Sequence, residues 1–160
     1  MTHNRLNWQD YFMGLAKLTA QRSPDPNTQV GSVLVDTENH IIGVGYNGAP
    51  KSVEHNLMPW DNSNTDPLLN KYLYIVHSEL NCILNADHSK IKNSILYCTL
   101  APCAECAKSI VQVGIKEVVY LNDKHSDKPE FIAGKKLLDL ARIKHYKYIP
   151  SVDQITIILK

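Results

Sequence analysis

Hydrophobic positions between 8 and 22 fall at Trp8, Tyr11, Phe12, Leu15 and Leu18, and these spacings of three and four predict an amphipathic helix. Ser23-Pro24-Asp25-Pro26-Asn27 cannot continue a helix and predicts an ordered loop. Residues 29–35 and 40–46 are short β-rich runs joined by Asp36-Thr37-Glu38-Asn39, a hairpin pattern. Asn47-Gly48-Ala49-Pro50 closes the second run with turn chemistry. Residues 50–73 are polar and irregular, and an insert of that length in a compact domain is usually functional or mobile. Beyond it the pattern predicts a helix over 77–86, a strand over 94–100, and a helix opened by Pro102 and stopped by Gly114. An apolar strand over 117–122, a helix over 129–141, a strand over 144–149 and a β-prone tail over 154–159 complete the chain. The order α-β-β-α-β-α-β-α-β predicts an α/β fold of three α-β-α layers, a mixed five-stranded sheet with helices on both faces. No linker divides the sequence, so residues 1–160 read as one domain with its core over about 8–150.

Composition adds little to that picture. The chain is long enough for a full core, and 44% hydrophobic with 21% charged residues is ordinary. A net charge of +1 supplies no field to draw in a nucleic acid polymer, although a few local cations suffice for one phosphate. The first residues lack an apolar signal core, and no apolar run reaches the roughly 18 residues of a membrane span. The expectation is a soluble, cytoplasmic protein. In that compartment Cys82, Cys98, Cys103 and Cys106 stay reduced, so a close cysteine pair points to metal before disulfide.

Two fragments carry the chemistry, His77-Ser78-Glu79 and Pro102-Cys103-Ala104-Glu105-Cys106. Cysteines three apart at a helix start share a face, and the positive helix end favours thiolate. With one imidazole they form a three-ligand set that leaves the fourth tetrahedral position of zinc for water. A carboxylate beside that water, Glu79, can move its proton. Helical residues two apart point about 200° apart, so His77 must sit at the ragged first turn if both side chains face one metal. Histidine-x-glutamate followed by Pro-Cys-x-x-Cys is the known signature of zinc deaminases. A closed structural zinc site needs a fourth ligand, for which Cys98 is nearest; Cys98 and Cys82 read instead as buried core residues. A redox pair leaves the H-x-E fragment unexplained. His3, His40, His55, His88, His125 and His145 read as surface residues.

Flanking segments extend the match. Trp8-Gln9-Asp10-Tyr11-Phe12-Met13, Gln21-Arg22-Ser23 with Asp25-Pro26-Asn27, Gly45-Tyr46-Asn47-Gly48, Met58-Pro59-Trp60 and Gly114-Ile115-Lys116-Glu117-Val118-Val119-Tyr120 resemble the deoxycytidylate (dCMP) deaminases of the zinc-dependent cytidine/deoxycytidylate deaminase family. The resemblance runs from about 8 to 150 and implies the cytidine-deaminase-like fold and hydrolytic deamination of dCMP to dUMP, a dTMP precursor. It implies zinc on His77, Cys103 and Cys106, proton transfer by Glu79, and nucleotide contacts by Asn47, Asn27 and Tyr120. Ser78 stands where the family more often has alanine, and its backbone N–H is expected to face the substrate. Some relatives hold a second, structural zinc in the insert; here the insert offers only His55 and no cysteine, so one ion per subunit is expected. Relatives are commonly hexamers activated by dCTP and inhibited by dTTP, which makes a homo-oligomer and these effectors expectations by resemblance. For the substrate phosphate, Arg22 is the first choice, ahead of Ser23, Lys51 and Lys71. The alternatives are another zinc nucleoside or nucleobase deaminase and, more remotely, a non-enzymatic structural zinc module.

Overall fold

The computed structural model describes residues 5–160; His3 lies outside them. A five-stranded sheet is built from β1 (Gly31–Val35), β2 (Ile41–Tyr46), β3 (Ile95–Leu100), β4 (Glu117–Asn122) and β5 (Lys144–Lys147), in the order β2-β1-β3-β4-β5. β1 is antiparallel to β2 and β3, whereas β3, β4 and β5 run parallel. The sheet is therefore mixed, as the element order predicts.

Alternation along the strands makes two cores. Leu34, Leu96, Cys98, Val118 and Tyr120 point to one face, where they meet Cys82 and Ile83 of α2 (Ser78–Leu84), Ala107 and Ile110 of α3 (Ala104–Val113) and Leu138 of α4 (Pro129–Leu140). Val33, Val35, Tyr97 and Val119 point to the other face and meet Phe12, Met13 and Ala16 of α1 (Trp8–Ala20). This is the expected three-layer arrangement. α3 ends on Gly114, which sits at φ 80, a left-handed conformation that glycine adopts without steric cost.

Two expectations need correction. The buried face of α1 is Asp10, Phe12, Met13, Ala16 and Ala20, whereas Trp8, Tyr11 and Leu18 are 40–50% exposed. Small residues decide this: a Cβ on Gly31 would lie 2.0 Å from the Ala16 carbonyl oxygen, so the helix backbone rests almost on β1 and the large side chains are pushed to its flanks. The 154–159 tail forms no strand. Asp10, buried in α1, accepts hydrogen bonds from the Tyr148 and Ser151 hydroxyls and from the Ser151 N–H. That anchor carries the chain across α1, where Ile155 packs at Gly14 instead of adding to a sheet edge.

Candidate active site

The site forms where the N-termini of α2 and α3 meet. β3 and β4 end side by side, and the Ala101 N–H donates to the Asn122 carbonyl at 2.9 Å, which aims the chain into the first turn of α3. Cys103 is the N-cap of α3, with φ −78 and ψ 176, and Cys106 lies in the first turn. His77 is the N-cap of α2, with φ −69 and ψ 154. Its extended backbone is what frees the imidazole from helical geometry, so that His77 and Glu79 can serve one centre. A bridge between Gly48 and Val76 fixes the residue before His77 to the turn after β2. α2 itself lies so close to β2 that a Cβ on Gly45 would come within 2.4 Å of the Ser78 carbonyl oxygen.

His77 Nδ1 lies 3.4 Å from Cys103 Sγ and 3.3 Å from Cys106 Sγ. Ligands held 2.0–2.3 Å from a tetrahedral zinc are themselves about 3.5 Å apart, so the spacing suits that ion, as does a donor set of two sulfurs and one nitrogen. No other described group of three or more potential ligands converges in this way. Cys82 and Cys98 are fully buried in the core, as expected, and outside the cluster. Glu79 is 4% exposed. Burial pushes its carboxyl above the ordinary carboxylate range, partly offset by the neighbouring His77.

The three side chains share their protons unevenly. A hydrogen bond from Cys106 is the main cause that lowers Cys103 to about 3, with His77 adding to it. Cys106, the donor and buried, is pushed well above the usual thiol value. Hydrogen bonding to Cys103 raises His77 to about 9 against the opposing effect of burial. A metal must displace the protons on His77 and Cys106.

A second polar centre borders the first. Asp25 is 2% exposed and Lys71 3%, and Lys71 Nζ donates to both carboxylate oxygens at 2.8 and 2.6 Å. The same carboxylate accepts from the Asn27 N–H at 2.8 Å, the Thr28 N–H at 3.2 Å and the Asn47 amide at 3.2 Å. Asn47 also donates to the Thr28 carbonyl at 2.9 Å and accepts from the Val30 N–H at 2.7 Å. Its amide thus binds the 25–30 loop to the end of β2.

The remaining expected residues are dispersed around these centres. Asn27 is exposed and donates to the Trp60 carbonyl of the insert at 3.2 Å. Arg22 is exposed just past α1. Tyr120 is buried opposite Cys98, its ring 5.7 Å from Lys135 Nζ, which pairs with Asp123 at 2.6 Å. Ser78 is fully buried. Lys71, considered for phosphate, is committed to Asp25. The sequence reading missed Asp25 itself. Its available signal was an acidic residue between two prolines, followed by Asn27 and Thr28 whose N–H groups an Asx-type turn collects.

A sequence model described as the cytidine and deoxycytidylate deaminase zinc-binding region matches residues 6–122. The chain belongs to this family. It is similar to a probable deoxycytidylate deaminase of Drosophila melanogaster, 45% identical over 95% of this chain and 77% of that protein. It is also similar to the deoxycytidylate deaminase of Homo sapiens, 44% identical over 95% of this chain and 85% of that one. Among solved structures, the dCMP deaminase of cyanophage S-TIM5 in complex with dCMP and dUMP superposes with a TM-score of 0.70 at 25% identity, covering 91% of this chain and all of that one. The matched residues 6–122 span the three converging side chains and Glu79.

Proposed function

We propose that the protein is a zinc-dependent hydrolase that converts dCMP to dUMP and ammonia. The observation that carries this is the convergence of His77, Cys103 and Cys106 beside a buried carboxyl, on a chain 44–45% identical to deoxycytidylate deaminases. His77, Cys103 and Cys106 hold one zinc ion, which when bound acidifies water and acts as a Lewis acid.

Glu79 does the proton work. It takes a proton from the water and delivers it to N3 of cytosine, which makes C4 electrophilic as the oxygen adds there. It then carries the second proton to the exocyclic amine, so that the C4–N bond breaks, ammonia leaves and C4 becomes a carbonyl. Its burial excludes solvent from that transfer, and the raised affinity for a proton suits a group that must both accept and release one. The Ser78 N–H and the carbonyls of Thr99, Leu100 and Ala101 hold the base edge. Exposed Asn27 and the largely buried Asn47 and Tyr120 contact the nucleotide, and exposed Arg22 meets the 5′-phosphate.

The same reading makes the chain one deaminase domain with residues 50–73 as an insert. That insert exposes Leu68, Leu69, Tyr72 and Leu73 by 52–65%, an apolar surface that supports a homo-oligomer, a hexamer in this reading. dCTP activation, dTTP inhibition and a cytoplasmic location belong to the proposal. No described helix is long and apolar enough to cross a membrane.

Ammonia release from dCMP, measured with and without a zinc chelator and with deoxycytidine in parallel, tests this. Chelator-sensitive turnover of dCMP alone is expected. Equal turnover of deoxycytidine would move the substrate away from the nucleotide, and no turnover with dCTP present would remove the enzymatic reading.

A further inference from the structure

The residue between the metal-binding histidine and the catalytic glutamate has a side chain with work of its own. Ser78 Oγ donates to Glu79 Oε2 at 2.9 Å and lies 2.8 Å from Oγ of Ser32 on β1. Both serines are 0% exposed, so neither hydroxyl has water as an alternative partner. We propose that Ser32 and Ser78 form a positioning relay that fixes one carboxylate oxygen of Glu79 and leaves the other for proton transfer to substrate.

The donor order follows from counting protons. Each hydroxyl has one proton to give, and an ionised carboxylate only accepts. Two serines facing only each other would leave one buried O–H without an acceptor, at the full desolvation cost of that group. With Glu79 at the end of the chain, Ser32 donates to Ser78 and Ser78 donates to Oε2, and no proton is left over. When the other carboxyl oxygen takes a proton during turnover, Oε2 is still an acceptor and the chain keeps its direction. The terminal torsion of a glutamate is broad and roughly two-fold, and beside its own backbone N–H the carboxylate has Ser78 as its side-chain donor, which selects one of those orientations. The close seating of α2 at Gly45 holds the first turn against the sheet and keeps Ser78 within reach of Ser32.

The relay rests on the deaminase reading of Glu79, and the test separates the two. In zinc-loaded protein, kcat and KM for dCMP, bound zinc and Tm are measured for wild type, Ser78→Ala, Ser32→Ala and the double variant. Ser78→Ala keeps the backbone N–H that faces substrate, so KM is expected to stay within about twofold and zinc content to be unchanged. The lost bond to a charged group lowers kcat about tenfold. Ser32→Ala is expected to lower kcat about threefold, and the double variant to match Ser78→Ala, because Ser32 acts only through Ser78. Unchanged kcat in Ser78→Ala, additive losses, or a fall in kcat that follows lost zinc or lowered Tm would overturn the relay while leaving wild-type turnover of dCMP intact. A wild type that does not turn over dCMP removes the deaminase reading and the relay together.

Discussion

The carboxylates Glu79, beside the cluster of His77, Cys103 and Cys106, and Asp25, paired with Lys71, are both buried, and the two centres border each other, yet their surroundings are opposite. Around Asp25 every demand is met inside the protein: a bidentate lysine, two backbone N–H groups and the Asn47 amide fill the carboxylate's acceptor sites. Around Glu79 burial is just as deep, but only Ser78 donates a side-chain hydrogen bond, and the nearby Cys106 thiol and His77 imidazole hold protons that a metal must displace. A satisfied buried charge organises structure; an under-satisfied one is available for chemistry. The two centres should therefore respond to mutation in opposite ways, one losing rate and the other losing stability.

The largest effect is expected at Glu79. Glu79→Gln keeps the shape and removes the proton carrier, so dCMP turnover should fall about 10²–10⁴-fold. Zinc, bound through three other residues, should stay at its wild-type level. Replacing a buried acid with a neutral amide removes a desolvation cost, so the unfolding midpoint is expected to hold or rise. Metal analysis, steady-state kinetics and thermal melts on one preparation check this. A variant that loses zinc or melts early would show that Glu79 is part of the scaffold and would erase the contrast.

Lys71→Met should give the reverse pattern. Removing the cation leaves the Asp25 charge buried without its partner, which costs about 3–5 kcal/mol in comparable buried pairs. Chemical denaturation should read that loss directly. Adding Asp25→Asn should recover a large part of it, since the pair is then replaced by groups that no longer carry unmatched charge. Additive losses in the double variant would mean that Lys71 stabilises through contacts other than Asp25.

The same contrast explains what could be read from the sequence. The two fragments of the site were legible because each is local: Cys103 and Cys106 are one turn apart, and His77 and Glu79 are two residues apart at a helix start. The hairpin, the strands over 94–100 and 117–122 and the stop at Gly114 were legible for the same reason, since period and turn chemistry are short-range signals. Lys71 and Asp25 are 46 residues apart and belong to no periodic segment, so nothing local distinguishes this lysine from a solvated one. Ser32 is equally hidden, a small polar residue inside a strand whose partner is also 46 positions away. The buried face of α1 was misread because its contact is set by Ala16 and Ala20 against Gly31, residues that carry no weight in a pattern of large hydrophobic side chains.

Protons provide a finer comparison. In the metal-free protein at pH 7, His77 at about 9 and Cys106 well above the thiol value are protonated, whereas Cys103 at about 3 is already thiolate. Zinc binding at pH 7 should therefore release about two protons. As pH rises through 9, His77 enters the reaction already neutral, and the release should fall toward about one. Calorimetric titration of zinc into apoprotein, in buffers of different ionisation enthalpy, measures this number. Release of about three protons at pH 7 would mean that Cys103 is not held as a thiolate, and close to none would remove the proton-sharing description of the cluster.

The smallest effect is expected at Asn27, where the two centres can be separated within one residue. Its backbone N–H belongs to the Asp25 clamp, while its exposed side chain makes a 3.2 Å bond to the Trp60 carbonyl. Asn27→Ala retains the N–H, so the clamp is untouched, and loss of one exposed bond should change stability by no more than about 0.5 kcal/mol. If the amide contacts nucleotide, KM for dCMP should rise several-fold while kcat stays near wild type, the pattern of an interaction made equally in ground and transition states. A stability loss well above that range with unchanged KM would assign the side chain to holding the insert through Trp60. The rise in KM without a stability loss would place the boundary between scaffold and substrate at the Cα of Asn27.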